Sequence, residues 1–263
     1  MKKKILFGII ILFSLVSNAQ KKVNALAFGG FSTDNFYMPN ERTFDVYTVG
    51  LGYKGPKTSL FAYYNEGNLN KPINTHPWGN QYELDFYHKI TKKTYYWLNY
   101  AYSNDYSLHF PKHRAMVGIW QNIGNGFGVS TGGSYYYYLY NIFIANVGLE
   151  KYMGKFWVEG KVYAFFREPK TKYAFQFNSR YFWKDVNYIQ LTLMSGAAPD
   201  EPWITNGLVN LKAESARLSV STYINKKQTI QLRSGLGYAY EEYQLNIWRN
   251  RYIGNVGLIF TIF

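Results

Sequence analysis

The stretch GNQYELDFYHKI, residues 79–90, alternates between two kinds of side chain. The first set is mainly apolar and occupies Tyr82, Leu84, Phe86, His88 and Ile90. The second set is mainly polar and occupies Gln81, Glu83, Asp85, Tyr87 and Lys89. Successive side chains of a β-strand point to opposite faces, so a period of two predicts a strand, whereas a helix would show a period of about 3.6. This strand has one apolar face and one polar face.

The same alternation recurs along the chain. In TKYAFQFNSRYF, residues 171–182, Phe175 and Phe177 alternate with Gln176 and Asn178. The alternation is weaker but still visible in ARLSVSTYI, residues 216–224. Nothing between these stretches reads as a linker or a low-complexity tract, so the chain is predicted to form one all-β domain.

Short turns and longer connections follow one another in strict order. Six short turns rich in Gly, Lys and Asn are predicted at 54–57, 91–93, 124–126, 153–155, 183–185 and 225–227. Seven longer polar connections are predicted at 34–41, 67–79, 104–110, 139–141, 168–171, 196–211 and 242–250. They predict fourteen strands, with twelve as the alternative. An even number of strands with short turns on one side is typical of a single transmembrane antiparallel up-and-down β-barrel of the bacterial outer membrane.

The composition supports this class and excludes others. The 263 residues include 7 Trp, 27 Tyr and 19 Phe, while only 17% are charged. The mean hydropathy of −0.29 is too low for a bundle of membrane helices, each of which needs about 18 or more consecutive apolar residues. The absence of Cys excludes disulfides, thiolate metal sites and cysteine nucleophiles. No cofactor and no dedicated metal site are predicted.

The first residues, MKKKILFGIIILFSLVSNAQ, have the layout of a secretory signal peptide. Three lysines precede an apolar stretch, and small residues end at Ala19, so residues 1–19 are predicted to be removed by cleavage after Ala19. An uncleaved anchor is the alternative. The remaining residues 20–263 form the predicted barrel domain in the outer membrane.

The net charge of +13 favours contact with outer-membrane lipids over nucleic acid, for which no motif is visible. Lysines fall in the predicted turns, and aromatic residues follow them at Tyr95, Tyr96 and Trp97. Aromatic rings prefer the membrane interface, and lysines can extend to headgroups, so these residues are expected to face lipid.

The last nine residues, NVGLIFTIF, resemble the terminal recognition signal of outer-membrane proteins. Asn255, Gly257, Phe260 and Ile262 supply a polar residue, a glycine and two hydrophobic residues, and Phe263 adds one residue beyond the usual end. The resemblance implies that the outer-membrane assembly machinery binds the C-terminal strand.

Five stretches in order resemble the YaiO family of outer-membrane β-barrel proteins. They are QYELDFYHKITKKTYYWLNYAYS at 81–103, FPKHR at 110–114, GLEKYMGKFWVEGKVY at 148–163, SRYFW at 179–183 and SGAAPDEPW at 195–203. The resemblance covers nearly the whole chain after the predicted signal peptide and implies an outer-membrane barrel. Some related barrels carry tetratricopeptide repeats and export polysaccharide. Because this barrel is predicted to begin directly after the signal peptide, export would need a separate periplasmic partner.

Charged residues on the polar faces are candidates for the lumen lining: Glu83, Asp85, Glu159, Lys161, Arg180, Arg217 and Arg233. Two interpretations are open. Arginines on the later strands and carboxylates on the earlier ones can create a selectivity field across a pore. Alternatively, the charges pair with one another and fill a closed lumen.

The outer mouth has its own candidates, namely His109, His113, Arg114, Asp200 and Glu201. A barrel enzyme would use a histidine near this rim, but neither a His-Glu-x-x-His nor a Gly-x-Ser-x-Gly pattern is present. Asp200 and Glu201 could bind Ca²⁺ or a cationic sugar, or could simply belong to a loop that folds over the barrel.

The sequence therefore favours a channel for export or passage of a hydrophilic, carbohydrate-like solute, and not an enzyme. A non-conducting barrel used for surface binding or as a scaffold is the first alternative. An outer-membrane enzyme that acts on envelope lipid or glycan near His113 is the second.

Overall fold

The computed structural model describes residues 24–37, 41–70, 77–104, 110–138, 141–166, 171–184, 186–197, 212–244 and 247–262. The predicted signal peptide and its cleavage site after Ala19 lie outside the described residues. The described residues form fourteen strands, which confirms the larger of the two predicted numbers. The strands are β1 Asn24–Tyr37, β2 Arg42–Lys54, β3 Thr58–Leu69, β4 Trp78–Lys89, β5 Thr94–Tyr102, β6 His113–Gly124, β7 Phe127–Tyr137, β8 Asn141–Met153, β9 Phe156–Phe166, β10 Lys172–Lys184, β11 Asn187–Ala197, β12 Lys212–Tyr223, β13 Ile230–Gln244 and β14 Ile247–Thr261.

The strands close into one antiparallel up-and-down barrel. Each strand pairs with its neighbours in sequence, and β1 pairs with β14. That closing ladder runs from the pair Leu26 and Thr261 to the pair Tyr37 and Asn250, nearly the full length of both strands. Closure removes sheet edges, which is the condition for a sheet to cross hydrocarbon.

The six predicted short turns all lie at one end of the barrel, named here the turn rim, together with both ends of the described chain. At the turn between β6 and β7, Gly124, Asn125 and Gly126 have φ angles of 102°, 52° and 78°. Positive φ angles are adopted mainly by glycine and asparagine. This explains why these residue types indicated the turn in the sequence. The opposite end is named the loop rim.

The connection predicted at 242–250 falls in the right place but is much shorter than expected. Strand β13 continues to Gln244 and β14 begins at Ile247, so Glu242 pairs with Trp248 inside the sheet. The segment is rich in charge and resembles a loop in sequence. It remains in the sheet because Glu241 and Arg249 stand opposite each other and form a buried ion pair of 2.7 Å on the inner face.

Side chains alternate between the outside and the inside of the barrel. Tyr82, Leu84, Phe175 and Phe177 are exposed on the outer face, as expected for side chains that contact lipid. In the C-terminal strand, Phe260 is also on this face, whereas Asn255 and Gly257 are inside. None of the described residues belongs to a helix long and apolar enough to cross a membrane.

Candidate functional site

The interior of the barrel contains all the residues that the sequence proposed for the lumen. Each lies on the inner face, because it shares strand parity or hydrogen bonds with other inward side chains. The seven residues are Glu83, Asp85, Glu159, Lys161, Arg180, Arg217 and Arg233. Their charges are not separated into an acidic side and a basic side of the lumen. The acids have partners close by, and the three arginines do not pair with acids.

Glu83 and Asp85 on β4 are held by donors from the next two strands. Asn99 Nδ2 lies 2.7 Å from an oxygen of each carboxylate, and Trp97 Nε1 donates to Asp85 at 3.0 Å. Arg114 forms an ion pair with Glu83 at 2.5 Å. The negative charge of Glu83 is thus balanced within the wall.

Glu159 on β9 is buried and has its own donors. Lys161 Nζ lies 2.9 Å from one carboxylate oxygen, and Asn178 donates to the other at 2.9 Å. Glu150 stands opposite Glu159 in the β8–β9 ladder, an arrangement that brings like charges together. Glu150 accepts a hydrogen bond of 3.0 Å from Trp157 Nε1, so donors on both sides offset the repulsion.

Arg180 on β10 has neutral partners. Its Nε donates to Gln190 Oε1 at 3.0 Å. The guanidinium carbon lies 4.6 Å from the ring centroid of Trp157 and 4.1 Å from that of Tyr188. Within the described part of the chain, Arg180 makes no ion pair, and the two rings hold its positive charge in place through cation–π attraction.

Arg217 and Arg233 belong to the neighbouring strands β12 and β13. Arg217 donates to Asn255 Oδ1 at 2.7 Å, reaching across β13, where Gly235 and Gly237 leave space. Neither arginine pairs with a carboxylate among the described residues. Both are exposed although they point inward, so water reaches the interior at this level.

A further charge cluster near the loop rim escaped the sequence interpretation. Arg251 pairs with Asp34 at 2.8 Å, and Arg249 pairs with Glu241 at 2.7 Å. Arg249 also lies 4.4 Å from the ring centroid of Phe36. Arg249 fell within the connection predicted at 242–250, and only the continuity of strand β14 could have revealed its place in the sheet.

The candidates for the outer mouth are separated by the structure. Arg114 points inward to Glu83, whereas the adjacent His113 points outward, with its ring 5.4 Å from that of Tyr102 and its Nδ1 2.9 Å from the Tyr100 hydroxyl. His113 therefore does not line the interior. Side chains alternate along β6, so the residue next to the inward Arg114 must point outward. His109, Asp200 and Glu201 lie outside the described residues.

The largest feature that sequence reasoning missed is a continuous row of inward aromatic rings on β1 and β3–β6. Neighbouring centroids are separated by 5.7 Å between Phe28 and Phe61, 5.9 Å between Phe61 and Tyr87, and 6.1 Å between Tyr87 and Trp97. The row is named here the aromatic ladder and comprises Phe28, Phe61, Tyr63, Tyr87, Tyr95, Trp97 and Trp120.

Glycines make room for the aromatic ladder. A Cβ at Gly50 would lie 2.8 Å from the Tyr63 ring, and one at Gly118 would lie 2.8 Å from Trp120. Real Cβ atoms do not approach so closely, so the rings occupy space that only glycine leaves. The expectation that Tyr95 and Trp97 face lipid is corrected here, because both point inward and only Tyr96 between them points outward.

Two cavities lie inside the barrel along this ladder. The turn-rim cavity has a volume of about 480 Å³ and is lined by Lys54, Lys57, Lys89 and Arg233, together with five of the ladder rings. The inner cavity has a volume of about 330 Å³ and is lined by Trp97, Trp120 and Lys161, among others. The ladder therefore connects the two cavities.

A closed fourteen-stranded barrel with an apolar outer face and a charged, water-accessible interior defines an outer-membrane β-barrel protein. The sequence matches the YaiO membrane beta barrel domain over residues 30–201, more than half of the chain. The chain belongs to this family.

Several solved structures of low sequence identity have similar folds. The CymD monoaromatic hydrocarbon channel superimposes with a TM-score of 0.57 at 6% identity, covering 97% of this chain and 92% of that one. OccK7 (OpdD) of Pseudomonas aeruginosa gives 0.50 at 6% identity, covering 92% and 99%. OmpF of Salmonella typhi, in complex with daunomycin, gives 0.49 at 8% identity, covering 91% and 98%. At such identities the likeness concerns the fold alone. Comparison with curated proteins finds no match.

Proposed function

We propose that the barrel is a channel that passes a hydrophilic, carbohydrate-like solute through the outer membrane. The observation that carries the proposal is the exposure of Arg217 and Arg233, which point inward. A lumen packed with side chains would bury these guanidinium groups, and buried charges require partners. Exposed inward arginines without acidic partners instead favour a water-filled lumen with a positive field.

The aromatic ladder supports a solute with sugar-like surfaces. The face of an aromatic ring carries partial negative charge, so it attracts the slightly positive C–H groups on the flat side of a sugar ring. Because the ladder joins the two cavities, a solute could exchange one ring contact for the next along the barrel.

A non-conducting binding or scaffold barrel is the alternative that a specific observation favours. The ion pairs of Glu83 with Arg114, and of Glu159 with Lys161, fill part of the interior with mutually satisfied charge. Such pairs would also be expected in a closed lumen.

Single-channel conductance of the refolded barrel in a planar bilayer separates these functions. We expect stable current steps with a preference for anions. Arg217→Ala and Arg233→Ala should each shift the selectivity toward cations, because each removes a positive charge from the lumen. Lys155→Ala is the matched control, since Lys155 is an exposed cation of the turn rim outside the lumen and should leave selectivity unchanged.

A barrel that folds and inserts but never conducts would overturn the channel proposal in favour of the binding or scaffold role. Folding is checked independently by the shift in electrophoretic mobility between heated and unheated samples.

A further inference from the structure

We propose that the turn-rim cavity is a binding site for an acidic sugar, meaning a carbohydrate unit that carries a carboxylate or a comparable anionic group. The inference deepens the proposed function and rests on it, since the cavity forms the turn-side entrance of the same lumen. It assigns the solute a sign of charge, which the general channel proposal does not.

The charge of the cavity lining is one-sided. Lys54, Lys57, Lys89 and Arg233 line it, and no Asp or Glu is among the residues that do. None of these four cations forms an ion pair or a side-chain hydrogen bond within the described ranges. Elsewhere in the barrel, acids such as Asp85 and Glu159 have donors close by. The uncompensated cations therefore favour an anion in this cavity.

The rings that line the same cavity argue against a bare inorganic anion as its intended occupant. Phe28 and Phe61 contribute apolar surface, and their centroids are 5.7 Å apart in an edge-to-face arrangement. An inorganic ion gains nothing from such a surface. A sugar ring gains contact with the ring faces through its C–H groups.

Phenol groups supply the third kind of contact. Tyr63, Tyr87 and Tyr95 line the cavity, and their hydroxyl groups have no hydrogen-bond partner among the described residues. A phenol hydroxyl both donates and accepts, so it matches the hydroxyl groups of a sugar. The cavity thus combines cations, ring faces and free hydroxyls, which together match an acidic sugar better than a neutral sugar or a simple anion.

The backbone beside the cavity also leaves room for its aromatic rings. A Cβ at Gly52 would overlap the Phe61 ring and would lie 3.1 Å from the Phe28 ring, so these rings need glycine beside them. The volume of about 480 Å³ is within the range of about 300–1,000 Å³ that small-molecule sites occupy.

Binding is measured by isothermal titration calorimetry on the refolded barrel in detergent at constant ionic strength. The three probes are an oligomannuronate trisaccharide, maltotriose as a neutral trisaccharide, and inorganic phosphate. We expect the acidic trisaccharide to bind more tightly than either of the others. Arg233→Gln should weaken that binding about tenfold, the effect of losing one charge-assisted hydrogen bond.

Lys155→Gln is the matched control, because it removes an exposed cation of the same rim that does not line the cavity. It should change the affinity less than twofold, whereas Tyr63→Phe should weaken it measurably without removing a ring. Equal binding of all three probes, tighter binding of phosphate, or equal effects of Arg233→Gln and Lys155→Gln would each overturn the proposal.

The outcome is distinguishable from that of the channel proposal. Conductance without selective binding of the acidic trisaccharide would leave the channel proposal intact and remove the acidic-sugar site. Selective binding without conductance would support the site and replace the channel with a binding barrel.

Discussion

Arg251 on β14 donates to Asp34 on β1 at 2.8 Å, and this ion pair joins the two strands that close the barrel. The residues are 217 positions apart in the sequence. They meet because Asp34 is paired with Ile253 in the closing ladder, which places Arg251 one inward position away. The second, longer contact of Arg251 with Glu241 at 3.9 Å extends the cluster to β13.

The closing pair should contribute to stability. Asp34→Ala is expected to lower the free energy of unfolding by about 2 kcal/mol, the usual contribution of a hydrogen bond to a charged group. The measurement is urea unfolding of the barrel in lipid vesicles. Asp45→Ala on β2 is the matched control, because Asp45 has no side-chain partner among the described residues. Equal losses in the two variants would show that the pair is not what stabilises the closure.

Neutralising an acid in the lumen should change the ion selectivity in the direction opposite to that caused by neutralising an arginine. Glu83→Gln leaves Arg114 without its acidic partner, so we expect the anion preference of the channel to increase. Glu66→Gln makes the same chemical change on the outer face of β3 and should leave reversal potentials unaltered. The measurement is the reversal potential under a salt gradient, and a shift toward cations in Glu83→Gln would contradict the assigned field.

Gly52 should tolerate no side chain. Gly52→Ala is expected to lower the free energy of unfolding by about 1–3 kcal/mol, because an added methyl group would press on the Phe28 and Phe61 rings. Gly29→Ala is the control, since a Cβ there meets no atom within 4 Å, and its effect should stay within about 0.5 kcal/mol. If both variants were equally stable, the aromatic ladder would have to be loosely packed.

The alternation of apolar and polar side chains could be predicted from the sequence because lipid and the barrel interior are such different environments. Phe175 and Phe177 face lipid while Gln176 and Asn178 face the interior, and no other assignment satisfies both faces. The strand number was readable as well, because tight turns need residues such as Gly126.

Contacts across strands were not readable, because they depend on register. Glu83 pairs with Ala101 on β5, and Ala101 pairs with Arg114 on β6, so the two charges flank a small side chain and can meet over it. A shift of one residue would have turned one of them to lipid. The sequence therefore predicted which charges face inward but not which ones pair.

The aromatic ladder was missed for a different reason. An aromatic residue fits the membrane interface as well as a lumen, so composition near Tyr95 and Trp97 does not separate the two. A usable signal was strand parity: Tyr87, for example, shares it with Glu83 and Asp85 and so belonged to the polar face. Assigning each aromatic residue by the parity of its polar neighbours would have found most of the ladder.

His113 provides the test of the enzyme alternative. Its ring lies on the outer face near those of Tyr102 and Tyr137, at 5.4 and 6.2 Å, so His113→Phe preserves the aromatic cluster and loses only an exposed hydrogen bond to Tyr100. We expect unchanged folding and conductance, and an unchanged profile of envelope lipids by mass spectrometry in cells that carry the variant.

The neighbouring Arg114→Met serves as the positive control for a change inside the lumen. It leaves Glu83 without its ion-pair partner, so the reversal potential should shift toward cations. If His113→Phe instead abolished a lipid modification while the barrel stayed folded, the histidine would be catalytic and the assignment of function to the lumen would be wrong.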